Sequence, residues 1–429
     1  LVITLIVAAI AGTSIYLIRS PIVVPEWLET RIEERFAQDM PRARIGFGEM
    51  VLIVDKGWRP RIRLRDVNIA NPDGVSFAAF REVQASFSVQ GLLAGEVQPQ
   101  NISMSGVVAN LRRDLDGRVA LSASTGDAPA ERRAATMPQL IGQLDAVFEA
   151  KAMRRLRSIE LRALTLRYTD LQSDRMWTVD GGRMLLDRDG TRLDITAELA
   201  VLGGGADVAT LSASYTSKLG DTASQFGVNF DGVSAADIAI QSPAFAWLNI
   251  LRAPISGSVR SSLDEDGTFE PLNATLQIGA GVVQPSESAT PIPFDGARSY
   301  FSYDPDQRLL RFDELSVESK WVSGRIEGDA TLGIDASGKL GQLVAQVRLR
   351  DLIADPADLY VTPVSIEGAD VDAKITFNPF HMSVGRMDIL DGDTTLNLSG
   401  DLRAGTQGWQ VALDAGLNAL KPERLLELW

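Results

Sequence analysis

The chain has 429 residues, 45% hydrophobic and 23% charged, a balance that fits folded protein and excludes a wholly disordered one. Its 42 basic and 56 acidic side chains give a net charge of −14, which excludes the basic footprint of a nucleic-acid binder or a polybasic membrane-surface binder. With no cysteine, thiol catalysis, disulfides and cysteine-ligated metals are excluded too, and an oxidising compartment such as a bacterial periplasm suits the chain.

Leu1 to Ile18 carries no charge, and Arg19 closes it. Such a run makes about 27 Å of helix, near the lower limit for crossing a bilayer. Residues 1–20 read as a transmembrane anchor through Leu5, Ile6, Ile10, Ile15 and Leu17. The rival is a cleaved signal peptide with Ala9-Ile10-Ala11 as its small-residue site. Either one exports the rest.

Residues 21–121 form the first region. Pro25 to Gln38 predicts an amphipathic helix with Leu28, Ile32 and Phe36 on one face. Strands are expected at Ile45 to Val54 and Arg61 to Ile69, followed by a turn at Asn71-Pro72-Asp73-Gly74. Val83, Ala85, Phe87 and Val89 make the next stripe, then Ile102 to Leu111, and Asp116-Gly117 signals a hairpin before Val119 and Leu121.

Residues 122–157 lose the period of two. Ser122 to Thr136 reads as a linker, and Pro138 opens a helix with Leu140, Ile141, Leu144, Val147, Phe148, Ala152, Met153 and Leu156 on one face. A helix so one-sided covers something apolar.

From 158 to 429 the stripes resume: Leu164, Leu166 and Tyr168; Leu193, Ile195, Ala197 and Leu199; Leu211, Ala213 and Tyr215; Phe226, Val228 and Phe230. Ser242-Pro243 has the form of an N-cap with proline at the first helical position, and Pro254 ends that short helix. Strands follow through Leu276 and Ile278, Leu310 and Phe312, Ile326 and Leu332, and Val347 and Leu349. The clearest stripes come last: Val371, Ile375 and Phe377, then Leu396 and Leu398, then Trp409, Val411 and Leu413. A period of two puts the apolar side chains of a strand on one face and the polar ones on the other. Ile326-Glu327-Gly328-Asp329 and Leu398-Ser399-Gly400-Asp401 form a faint internal repeat, and Asp355-Pro356 and Lys421-Pro422 open two further short helices.

Catalytic chemistry finds no support. His381 is the single histidine, no G-x-S-x-G elbow exists, and Gly203-Gly204-Gly205 lacks the Lys-Ser/Thr sequel of a phosphate loop. Asp264-Glu265-Asp266, Asp304-Pro305-Asp306 and Asp391-Gly392-Asp393 do not match a calcium loop and are explained as hairpin turns. No metal or cofactor is expected. The bland reading of the stripes is a closed sandwich core. Small residues at Ala85, Ala197, Ala213, Ala345 and Ala373, with few helices to roof the sheet, favour an open trough instead.

The residues carry a family likeness as well. The apolar leader, the Pro25 helix and the strands around Asn71-Pro72-Asp73-Gly74 resemble the AsmA-like superfamily. From Ser158 onward the chain is similar to its YhdP-type branch: Leu164-Thr165-Leu166-Arg167-Tyr168, Met176-Trp177-Thr178-Val179, the Ser242-to-Pro254 helix leading into Ile255-Ser256-Gly257-Ser258-Val259, and Tyr300 with Tyr303-Asp304-Pro305. The chain would match the N-terminal part of such a protein. The resemblance implies an elongated, curled antiparallel β-sheet forming an open hydrophobic groove, anchored in the bacterial inner membrane and projecting across the periplasm. It implies carriage of phospholipid toward the outer membrane, with periplasmic or outer-membrane proteins as further partners, and no active-site residues. Two other expectations stand beside it: an assembly factor that pairs strand edges of outer-membrane proteins, and a β-rich polysaccharide-acting enzyme with a carboxylate pair in a cleft.

Overall fold

The computed structural model describes residues 22–23, 44–55, 59–70, 76–87, 98–114, 119–122, 137–149, 153–171, 175–202, 208–334, 340–355, 363–391, 394–405 and 408–417. The expected anchor over residues 1–20, the Pro25 helix, Val89, the 71–74 and 116–117 turns, the triple glycine at 203–205 and the helices after 356 and 422 lie outside them. Among the described residues no helix is long and apolar enough to cross a membrane. The fold is mainly β, as alternation along most of the chain requires, and it divides into two units: 1–226 with 264–267, and 227–263 with 268–429.

In the first unit the strands are β1 Ile22–Val23, β2 Arg44–Gly46, β3 Glu49–Asp55, β4 Arg59–Ala70, β5 Ser76–Phe87, β6 Pro99–Ser105, β7 Val108–Arg113, β8 Val119–Ser122, β9 Ser158–Asp170, β10 Arg175–Asp189, β11 Arg192–Leu202 and β12 Ala209–Lys218. β2 and β3 lie end to end along β4, which pairs with β5. β6 and β7 lie end to end along β9, both parallel to it. The expectation of a purely antiparallel sheet is therefore corrected to a mixed one. A parallel neighbour needs a long crossover rather than a hairpin, and the segment between β7 and β9 holds β8 and the helix α1, Met137–Glu149. α1 buries Ile141 and Phe148, and Phe148 packs with Leu156, Leu186 and Leu193 and with the half-buried Ile102, Leu144 and Ile195. The one-sided helix thus covers the sheet, as its pattern predicts. Asp145 on the same helix is buried, and one carboxylate oxygen accepts the Gly220 N–H at 3.0 Å.

The second unit takes up β13, Ser224–Ser234, after its first three residues. A short helix α2, Ala235–Ala239, and a 3₁₀ helix, Pro243–Ile250, follow. Ser234 and Ser242 cap them, accepting from the N–H groups of Asp237 and Ala244, so the proline-at-N1 signal is met, with 3₁₀ geometry. The remaining strands are β14 Leu251–Arg252, β15 Pro254–Leu263, β16 Leu272–Ile278, β17 Gly281–Val283, β18 Ile292–Phe294, β19 Gly296–Asp304, β20 Leu309–Glu318, β21 Val322–Ile334, β22 Leu340–Ala354, β23 Val364–Phe377, β24 Phe380–Asp391, β25 Thr394–Gly405 and β26 Gly408–Leu417. β15, β16 and β19 through β26 form one antiparallel meander. β14, β17 and β18 form a separate small sheet. Register shifts between Phe312 and Leu315 and between Val384 and Met387 mark bulges, which bend a strand and increase its twist.

Candidate functional site

Direct cross-strand partners share a sheet face, so register shows what each face carries. In the second unit one face is a set of apolar rungs. Leu332 pairs with Leu343, Leu343 with Ile375, Ile375 with Met382, Met382 with Leu402 and Leu402 with Val411. Another rung on this face runs from Phe312 through Gly328, Val347, Val371, Met387 and Leu398 to Ala415. A third joins Leu315, Ile326, Leu349, Ala369, Ile389, Leu396 and Leu417. No charged residue interrupts these rungs.

The opposite face of the same strands is ionic. Arg311 meets Asp329 at 3.1 Å, Arg350 meets Glu327 at 3.4 Å, Arg348 meets Asp370 at 2.9 Å, and Arg386 lies between Asp372 and Asp388. His381 belongs to this face, its Nε2 2.6 Å from an Asp401 oxygen. That contact holds the Asp401 carboxyl below its ordinary value, with Ser383 also donating to it. The histidine is thus a cross-strand partner. Among the described residues no cluster of acidic, histidine or cysteine side chains could hold a metal.

The apolar face is covered at one end and bare at the other. α2 and the 3₁₀ helix seal it over the early strands: Phe245 and Trp247 meet Phe301 edge-on, and Trp247 also meets Phe312. Leu276, Ile278, Leu310, Phe312 and Leu332, expected as open lining, are therefore core. Phe230, Val347, Ile375 and Phe377 are half-buried at the margin of that core. Ile326, Leu349, Val371, Leu396 and Leu398 are half-buried on the rungs, whereas Val411 and Leu413 are each 61% exposed.

In the first unit Leu193 and Ile195 belong to the core beneath α1, so their expected place in an open groove is corrected. Val83, Ala85, Phe87, Leu199 and Phe226 are half-buried there, as is Val228 of the second unit. The stripe reading brought together the lining of β21 to β26 but underestimated the roof. β13 runs directly into α2, a helix too short to show a periodic face, and β24 carries no clear stripe because its bulge at Gly385 breaks the alternation of Met382, Val384, Met387 and Ile389.

Comparison with protein-family models, with curated proteins and with solved structures finds no match.

Proposed function

We propose that the chain is a non-enzymatic carrier of phospholipid, with acyl tails lying on the apolar rungs of the second unit. The observation that carries this reading is the rung from Leu332 to Val411, apolar at every position, with its covered end packed and its last strand exposed. Each methylene taken from water is stabilised by about 0.8 kcal/mol, so a tail resting on such a face loses little relative to a bilayer. Movement between equivalent rungs needs no bond chemistry, which accords with an ionic face whose charges are paired across strands. On this reading residues 1–20 anchor the chain in the bacterial inner membrane, the bulk lies in the periplasm, and lipid passes toward the outer membrane. The apolar leader and the AsmA-like resemblance support that placement.

The test is mass spectrometry of lipid that copurifies with the full chain. Phospholipid at a defined ratio to protein is expected; its absence, with the protein folded, would sink the proposal. A second reading draws on β26, which among the described residues pairs only with β25. An assembly factor would use that edge to add a strand of an outer-membrane protein. Crosslinks from β26 to unfolded outer-membrane chains, without bound lipid, would favour it.

A further inference from the structure

The β17–β18 hairpin carries a loop, residues 284–291. Its base is fixed, with Gln284 N donating to the Ile250 carbonyl at 2.7 Å and β17 pairing with β14. The loop also braces itself. Gln284 Nε2 donates to the Ala289 carbonyl at 3.1 Å, and Ala289 N donates to the Ser286 carbonyl at 3.0 Å. Close to the β18 end of the loop, the Thr290 carbonyl accepts a 2.7 Å hydrogen bond from Trp409 Nε1.

Trp409 stands on the apolar face, directly beside Ala404 of β25. Its ring meets Phe380 of β24 edge-on, with centroids 5.7 Å apart. The indole therefore spans from β26 across β25 to β24, and through Thr290 it ties the roof to the last strand. Met382 of β24 and Leu402 of β25 lie one step up their strands from this tie, on the same face. A single neutral, exposed hydrogen bond gives a small net gain, so tied and untied forms differ by a modest population ratio.

We propose that loop 284–291 is a latch: with Thr290 bonded to Trp409 it closes the Phe380 end of the apolar face over β24 and β25, and its release admits an acyl chain there. This rests on the lipid-carrier reading and adds a control point to it.

The chain has no cysteine, so Thr290→Cys with Gly408→Cys places the only two thiols across the latch; a Cβ at Gly408 would lie 3.8 Å from Thr290 Oγ1, and the strain of a side chain at its φ of +102° is common to the two redox states, which are compared with each other. The full chain is mixed with phosphatidylethanolamine–phosphatidylglycerol vesicles holding a trace of phospholipid with a fluorescent acyl chain, and uptake is timed. The oxidised pair should take up lipid at least about fivefold more slowly than the reduced pair, and Trp409→Phe should take it up about fivefold faster than wild type, the ratio one neutral hydrogen bond commands. Equal rates in both redox states, or a Trp409→Phe variant no faster than wild type, overturn the latch. Should wild type extract no lipid at all, the carrier reading fails, and amide exchange across 284–291 then decides the latch. Exchange raised about fivefold by Trp409→Phe supports the tie, and unchanged exchange overturns it.

Discussion

Gly328 and Gly400 stand at equivalent points of two hairpins, each opposite a bulge in the strand before it. Gly328 pairs with Phe312 where β20 is bulged, and Gly400 pairs with Val384 where β24 is bulged. Both have positive φ, +139° and +155°. A Cβ would lie 2.4 Å from the Gln346 carbonyl oxygen in the first case and 2.1 Å from that of Ala412 in the second. The faint repeat in the sequence is therefore a repeat of backbone geometry: an apolar residue, then two positions on, a glycine that lets the next strand approach closely.

Gly328→Ala and Gly400→Ala should each destabilise the second unit by about 1–3 kcal/mol or more, from unfavourable φ and the carbonyl contact together. Gly296→Ala is the control, because its Cβ would meet nothing nearer than the Ile278 carbonyl oxygen at 3.6 Å, and its effect should stay within about 0.5 kcal/mol. Denaturant unfolding followed by tryptophan fluorescence measures all three. Equal midpoints for the three variants would remove the bulge-facing role.

Acid should weaken the first unit in part through Glu160. One of its carboxylate oxygens accepts from Arg162 and the other from Arg183 at 2.9 Å, and the Arg162 hydrogen bond leads in holding the carboxyl below its ordinary value. A lowered folded value means the unfolded chain takes up a proton first as pH falls. The stabilisation is thus complete above the ordinary carboxylate value of about 4.5 and is lost as pH drops from there through the folded value. Both arginines are more than half exposed, so the contribution is at most about 1 kcal/mol. Glu160→Gln should flatten that part of the stability-versus-pH curve; an unchanged slope between pH 5 and pH 3, values set by the carboxylate range, would show that other groups control it.

How legible the fold was depends on which interactions are local. Strands such as Val364–Phe377 announce themselves because alternation is a property of one segment, and the Ser242 cap does so because a hydroxyl and a proline act within one turn. The parallel contact of β6 and β7 with β9 has no local mark, since β9 reads the same whichever way its neighbour runs. The roof was hidden for a related reason. Trp247 meets Phe312 and Trp409 reaches Thr290 only after the sheet has brought distant segments together, and no spacing within either segment encodes that. The apolar face could be read from the sequence; which part of it stays open could not.

That division between covered and open face makes the sharpest test. Leu310 and Leu413 lie on the same apolar side of the sheet: Leu310 pairs with Ala330, Ala330 with Ala345, Ala345 with Ala373, Ala373 with Val384, Val384 with Gly400 and Gly400 with Leu413. Leu310 is 0% exposed beneath the roof, whereas Leu413 is 61% exposed. Leu310→Glu would bury a charge among Phe301, Phe312 and Leu332 with no partner, and it should unfold the second unit, since an uncompensated buried charge costs several kcal/mol. Leu413→Glu leaves its carboxylate in water, so stability should change by no more than about 0.5 kcal/mol. Bound lipid should nevertheless fall, because a charge then stands on a rung that tails must cross. Far-ultraviolet dichroism and thermal melting report the fold, and lipid quantified by mass spectrometry reports the function. If Leu413→Glu keeps both its fold and its full complement of lipid, the exposed end of the apolar face is not where tails lie, and the carrier would have to use the half-buried strands of the first unit instead.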